Sequence, residues 1–190
     1  MIDDALLMEK AAAGDGESFR LLVKKYREPV FNFFLRSTGS REDSEDLLQN
    51  LFLALLKSAR RYRKTASFKT YIYRIASNML VSYYRGRKDH FSMEGAAEDS
   101  GGFQYRDQSP EANPSQNAEL SELEEAFSRA LAGLPLETAA ALELRVKQGF
   151  SYKEIAEIMD KSLSAVESMI FRGRKSLAEK MRVYRENEPE

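Results

Sequence analysis

The sequence predicts an all-α protein, two small helical domains joined by a flexible linker, and three observations carry that prediction. Apolar residues recur at intervals of three and four along most of the chain, the spacing of one helical face. No segment shows the apolar–polar alternation of a half-buried strand. Between His90 and Asn117 the periodicity collapses into glycine, serine, proline, asparagine and acids, including Gly101-Gly102, Ser109-Pro110 and Asn113-Pro114-Ser115. Such a stretch buries too little apolar surface to offset the entropy of ordering it. The expected organisation is a helical block over 1–89, a flexible acidic linker over 90–117 and a second helical block over 118–190.

The first block reads helical throughout. A helix starts at Asp15 or Gly16, with the stripe Phe19, Leu22, Val23, Tyr26, Val30, Phe31, Phe34 and Leu35. Pro29 lies inside it and should kink or interrupt it, because its ring clashes with the preceding turn. Thr38-Gly39-Ser40 ends that helix and begins a second, with Asp43 in the first turn, where a carboxylate favours the helix dipole. Leu47, Leu48, Leu51, Phe52 and Leu55 supply its buried face. A third helix runs from about Ser67 to Arg87, with Phe68, Ile72, Ile75, Ala76 and Met79 inward. After the linker, periodicity resumes with Leu120, Leu123, Phe127, Ala130, Leu131 and Leu134. Pro135 suits the first turn of a helix reaching about Gln148, which Gly149 ends.

Two capped helices follow. The first opens with Ser151 and Glu154 as a capping box and turns Ile155, Ala156 and Met159 inward. The second opens with Ser164 and Glu167 as another, buries Val166, Ile170 and Leu177, and shows Arg172, Arg174 and Lys175 to solvent. This is a helix-turn-helix pattern, in which the second helix can enter a DNA major groove. An ordinary helical hairpin with a solvated basic face gives the same pattern.

Composition narrows the chemistry. The net charge is −1, but the charges segregate: Lys57 to Lys88 holds ten Lys or Arg and no acid, and His90 to Ala126 holds nine acids and one base, Arg106. A local basic field attracts a polyanion even on a near-neutral chain. There is no cysteine, hence no disulfide, thiolate zinc site or cysteine nucleophile, and the one histidine, His90, lies in a polar stretch. No cofactor and no metal site are expected. No signal-peptide pattern opens the chain, and no apolar run approaches the ~18 residues that span a bilayer. A cytoplasmic location is expected.

The third helix and the loop before it interleave aromatic and basic residues: Tyr62, Arg63, Lys64, Phe68, Lys69, Tyr71, Tyr73, Arg74, Tyr83, Tyr84, Arg85. Cations neutralise phosphates, and aromatic faces stack on bases already outside the duplex. A protein using both handles single strands or opens duplex. Phe68 is read as core; Tyr62, Arg63 and Lys64, on an exposed loop with little packing to do, are expected to contact nucleic acid. The second helix carries Glu42, Asp43, Glu45 and Asp46 ahead of Gln49 and Asn50, an acid–amide face beside leucines that suits protein docking. Adjacent Glu45 and Asp46 diverge by about 100° on a helix, so they do not converge on a metal. A helix-turn-helix regulator acting alone leaves both of these helices without a role.

Four segments, in order and around the linker, resemble a bacterial RNA polymerase sigma factor of the extracytoplasmic-function type. Phe19-Arg-Leu-Leu-Val-Lys-Lys-Tyr26 is similar to that family's opening helix. Asp43-Ser-Glu-Asp-Leu-Leu-Gln-Asn-Leu-Phe52 resembles its Asp-Ala-Glu-Asp-Leu-x-Gln-x-x-Phe signature, and Phe68-Lys-Thr-Tyr-Ile-Tyr-Arg-Ile-Ala-Ser-Asn78 its Phe-x-x-Trp-Leu-x-x-Ile-Ala-x-Asn signature. Leu131-Ala-Gly-Leu-Pro135, Phe150-Ser-Tyr-Lys-Glu-Ile-Ala156 and Arg172-Gly-Arg174 resemble its fourth domain.

The resemblance implies a bundle of sigma domain 2 over 1–89 and a sigma domain 4 helix-turn-helix over 118–190. It implies that the chain binds core RNA polymerase, recognises −10 and −35 promoter elements and directs initiation, and that it catalyses nothing itself. Asp43, Asp46, Leu47, Gln49, Asn50 and Phe52 would dock on core polymerase, whose β′ clamp helices and β flap are the expected partner surfaces. The loop with Tyr62, Arg63, Lys64 and Thr65 would capture a flipped −10 base, with Lys69, Tyr71, Arg74, Asn78 and Arg85 on the strand. Tyr152, Lys153, Ser164, Glu167, Ser168, Phe171, Arg172, Arg174 and Lys175 would meet the −35 element. The linker would carry acids toward the polymerase channel. An anti-sigma factor is a further partner such a chain admits. The sequence departs from the family with Tyr71 in place of tryptophan, and with Glu167 and Met169 where bases are common.

Overall fold

A computed structural model describes residues 3–62, 66–92, 127, 130–131 and 133–186. The chain divides into two compact units, one centred on 1–35 and 42–96 and the other on 97–156 and 161–190. Among the described residues there are seven α-helices and no strand.

The first unit holds α1 (Asp4–Ala12), α2 (Gly16–Thr38), α3 (Arg41–Ser58), a 3₁₀ turn (Ala59–Arg61) and α4 (Phe68–Ser92). Helices α1, α2 and α4 each start with a polar cap. Asp3 accepts from the Ala5 amide at 3.0 Å. Asp15 accepts from the Glu17 amide at 3.0 Å and the Ser18 hydroxyl at 2.6 Å, and the Ser18 bonds hold its carboxyl below the usual range. Ser67 caps α4 by accepting from the Thr70 amide at 3.0 Å. These side chains satisfy amides that have no partner within the helix.

Helix α2 runs unbroken past Pro29, which sits on its exposed side. Leu22, Tyr26, Val30 and Phe34 are buried as the stripe predicts, but Phe33 is fully buried too. Its ring meets Tyr73 edge-on at 5.5 Å, so α2 presents a face wider than a single stripe. Helix α3 buries Leu48, Leu51 and Leu55 and leaves Leu47 and Phe52 half-buried. Helix α4 buries Phe68, Ile72, Tyr73, Ala76 and Leu80; it also continues to Ser92, so His90, Phe91 and Ser92 are helical rather than linker. The rest of the expected linker, with Leu120 and Leu123, lies outside the described residues.

The second unit holds α5 (Leu136–Val146), α6 (Tyr152–Met159) and α7 (Leu163–Glu186). Pro135 precedes α5 with φ −54. Helix α5 stops at Val146, two residues early, because Gly149 at φ 74 lets the Phe150 amide donate back to the Leu144 carbonyl at 3.1 Å. The expected capping box forms at α6: the Ser151 amide donates to the Glu154 carboxylate at 2.8 Å, and the Glu154 amide donates to the Ser151 hydroxyl at 3.3 Å. Ile155 and Ile158 are fully buried while Met159 is half-buried, so Ile158 takes the place read for Met159. Asp160 closes α6 in the left-handed region at φ 51, with the Lys161 amide donating to the Ala156 carbonyl at 3.0 Å. Aspartate tolerates that conformation better than most side chains.

The cap of α7 is Ser162, not the pair Ser164–Glu167. The Ser162 hydroxyl accepts from the Ala165 amide at 3.2 Å and bonds the Ser164 hydroxyl at 3.2 Å. The register is therefore two residues earlier, and Glu167 is released to solvent. Gly173 is where α7 crosses α5. A Cβ there would lie 2.7 Å from both Leu142 Cδ1 and Thr138 Cγ2, two buried side chains. The glycine of Arg172-Gly-Arg174 thus serves helix packing, since interiors are too dense to absorb an extra group. Gly173→Val is expected to lower the free energy of unfolding by roughly 2 kcal/mol, read as a lower denaturant midpoint; an unchanged midpoint would mean the crossing has slack.

Candidate nucleic-acid interface

Helix α4 is divided lengthwise. Its inner face is the apolar set above; its outer face carries Tyr71, Arg74, Asn78 and Arg85, at spacings that keep them on one side of a helix. Asn78 and Arg85 are exposed, and Lys69, Tyr71 and Arg74 are half-exposed. The Arg74 guanidinium lies 5.7 Å from the Tyr71 ring centre, and the hydroxyls of Tyr71 and Ser58 are 3.1 Å apart. A cation beside an accessible aromatic ring, followed by an exposed amide, can take phosphate, a stacked base and a base edge in turn.

Two aromatics read as interleaved with the bases are core instead. Tyr73 is fully buried, and Tyr62 is only 8% exposed, its ring edge-on to Tyr71 at 5.2 Å and Phe68 at 6.1 Å. Tyr62 follows the 3₁₀ turn and folds under it; the expectation of an exposed Tyr62 was wrong because a loop beside an aromatic cluster gains by burying one more ring. Arg63, Lys64 and Thr65 lie outside the described residues.

Helix α3 presents the other expected surface. Asp46, Gln49 and Asn50 are exposed, and Asp43, Leu47 and Phe52 are half-buried. Asp43 accepts from the Tyr83 hydroxyl at 2.7 Å, which ties α3 to α4. Phe52 meets Phe19 edge-on at 6.5 Å. Between the helices runs an open groove of about 480 Å³ lined by Leu47, Asn50, Ile75, Asn78, Met79, Ser82 and Tyr83. It brings together Asn50 from the acid–amide face and Asn78 from the cation–aromatic face.

In the second unit, Lys153 on α6 and Ser164, Glu167, Ser168, Phe171, Arg172, Arg174 and Lys175 on α7 are exposed. Phe171 is 72% exposed, an unusual setting for so large an apolar ring. Tyr152 is half-buried; the Arg145 guanidinium sits 5.3 Å from its ring centre and donates to the Phe150 carbonyl at 2.9 Å, fixing the start of α6. Met169 is 6% exposed, so it is a core residue, and only Glu167 of the two departures reaches solvent.

Comparison with known proteins bears on both units. The Sigma-70 region 2 family matches residues 22–90, and Sigma-70, region 4 matches residues 124–177. The ECF RNA polymerase sigma-E factor of Haemophilus influenzae is 33% identical over 183 residues, 95% of this chain and 96% of that one. The ECF RNA polymerase sigma-E factor of Escherichia coli K12 is 34% identical over 187 residues, 95% of each. The chain belongs to the ECF sigma factors. It is a polymerase-binding sigma factor that directs transcription initiation, from a family of non-catalytic initiation factors. The fold agrees with that of the sigma factor RpoE of Bartonella quintana, solved with the anti-sigma factor NepR: TM-score 0.68 and 20% identity, covering 88% of this chain and 98% of that one.

Sequence reasoning about this sigma factor missed several surface residues. Leu53 and Leu56, 48% and 51% exposed, extend the α3 face beyond Asn50. They break the buried stripe's register, and that is the signal that could have found them. Lys57, Arg60 and Arg61 are exposed at the end of α3 and on the 3₁₀ turn. Because Tyr62 is buried, Tyr62→Ala is expected to cost about 2–4 kcal/mol of stability, measured by chemical unfolding; a loss below ~0.5 kcal/mol would return it to the surface.

Proposed function

We propose that the two units divide promoter recognition. Residues 1–89 dock on core polymerase through α3 and hold the melted −10 strand on α4. Residues 118–190 read the −35 duplex through α7, with Tyr152 and Lys153 near phosphates and Glu167, Ser168, Phe171 and Arg172 toward the bases. Exposed Glu167 is suited to accept from a cytosine amino group. The linker, from the end of α4 at Ser92 to residue 117, joins the two units. The chain performs no catalysis, and the polymerase supplies the chemistry. Its place of action is the cytoplasm; no helix among the described residues is long and apolar enough to cross a membrane.

The observation that carries this reading is the α3–α4 groove, where Asn50 of the docking face and Asn78 of the strand face share one wall-to-wall space. A protein bridging polymerase and melted strand needs those faces adjacent, whereas a duplex-only regulator has no use for either. Extruding a base costs a few kcal/mol of stacking, offset by the cations and ring of α4. The Bartonella sigma factor is solved with an anti-sigma factor; one acting on this chain would need to cover the two DNA-binding faces.

Run-off transcription with core polymerase tests the proposal: promoter-specific transcripts should disappear when the chain is omitted. Core polymerase failing to bind it would select a polymerase-independent regulator. Asp46→Arg should weaken core binding by tenfold or more, about 1.4 kcal/mol, while leaving duplex binding by the second unit intact. Asn78→Ala should slow open-complex formation several-fold with closed-complex affinity within twofold; equal losses in both steps would remove its role in strand capture.

A further inference from the structure

Helix α1 lies outside residues 22–90, the segment matched as Sigma-70 region 2. Even so, it packs on both the 3₁₀ turn and α4, the elements that flank the expected strand-capture loop. Nine residues are too few to hold a helix in water alone, so α1 exists through its docking. Ala5, Leu7, Met8 and Ala11 are buried, and Met8 is fully so. One polar tie accompanies that packing. Asp4 accepts from the Tyr26 hydroxyl and from Lys25 Nζ, both at 2.6 Å.

Tyr26 passes this tie onward. Its ring meets Phe68 edge-on at 5.3 Å. Phe68 in turn contacts Tyr62 at 6.1 Å and Tyr71 at 6.4 Å. The path from α1 to the half-exposed Tyr71 is therefore a chain of rings in contact, with Ser58 and Arg74 holding the far side of Tyr71. Phe68 is the first residue of α4, where a helix end is held less firmly than its middle. Burial, and then the bond to Asp4, push the Tyr26 hydroxyl well above the ordinary tyrosine value, so it stays a donor at any physiological pH.

We propose that α1 is a positioning element for strand capture: the Asp4–Tyr26 hydrogen bond sets, through Phe68, the angle at which Tyr71 meets the displaced base. Asp4 and Tyr26 touch no DNA; they act through Tyr71. The proposal rests on the reading of α4 as the −10 surface, and its test separates the two.

The test uses the full chain with core polymerase on a template that supports run-off transcription, with 2-aminopurine in the −10 element reporting base extrusion. Tyr26→Phe keeps the ring and loses the hydrogen bond; it should slow the fluorescence rise roughly fivefold, the scale of a typical single hydrogen bond. Asp4→Ala should do the same, and Asp4→Asn, which keeps an acceptor for Tyr26, should recover most of the rate. Closed-complex affinity should stay within twofold for all three. Tyr26→Phe combined with Tyr71→Ala should be no slower than Tyr71→Ala alone, since a residue acting only through Tyr71 has nothing left to act on. A wild-type rate for Tyr26→Phe overturns the proposal, and so does full additivity with Tyr71→Ala, the mark of general destabilisation. If Tyr71→Ala itself opens promoters normally, the reading of α4 falls, and the proposal with it.

Discussion

The burial of one face of α4 against α2 and α3 is the constraint on which the first unit depends. Tyr26 against Phe68 and Phe33 against Tyr73 lock α2 to α4 through edge-on ring contacts, and Leu48, Leu51 and Leu55 bring α3 alongside. Edge-on geometry matches the positive ring edge to the negative ring face, which adds direction to an attraction that apolar burial leaves undirected. Once α4 cannot rotate, the positions of Tyr71, Arg74, Asn78 and Arg85 follow. No residue of the outer face needs a ligand to hold it in place.

The same lock creates the surface proposed for docking. With the α3 leucines turned inward, Asp46, Gln49, Asn50, Leu53 and Leu56 have nowhere to go but out. Exposed leucines beside acids and amides give a surface with an apolar centre and a polar border, the anatomy of a protein interface. The groove between α3 and α4 means that a partner on one face lies close to a ligand on the other. A sigma factor joins two macromolecules, and the two contact surfaces proposed here are the outward sides of neighbouring helices in a single core.

The second unit solves a different problem, the one our proposal sets it: presenting one helix to a groove in duplex DNA. Gly173 lets α7 approach α5 closely, and Asp160 and Ser162 set the turn before it. Val166, Met169 and Ile170 face the core, and Glu167, Ser168, Phe171 and Arg172 face out.

Much of this was legible in the chain itself. The helical class, the helix-turn-helix, the Ser151–Glu154 box and the outward acid–amide face of α3 follow from local periodicity and capping chemistry, which depend on residues only a few positions apart. The family signatures are likewise short and contiguous. What the tertiary structure decided was the fate of residues whose local pattern permits two environments. Tyr62 reads as an exposed loop residue, Tyr73 as one more ring in a basic run, and Met169 as a surface departure; all three are buried because a neighbouring helix supplies the partner. Ser162 and Ser164 are equally good caps by composition, and the turn at Asp160 selects between them. The groove shared by Asn50 and Asn78, and the tie from Asp4 to Tyr26, join residues more than twenty positions apart. One-dimensional periodicity records which face of a helix is apolar; only packing determines what that face meets, and therefore which of the remaining side chains are left for DNA and polymerase.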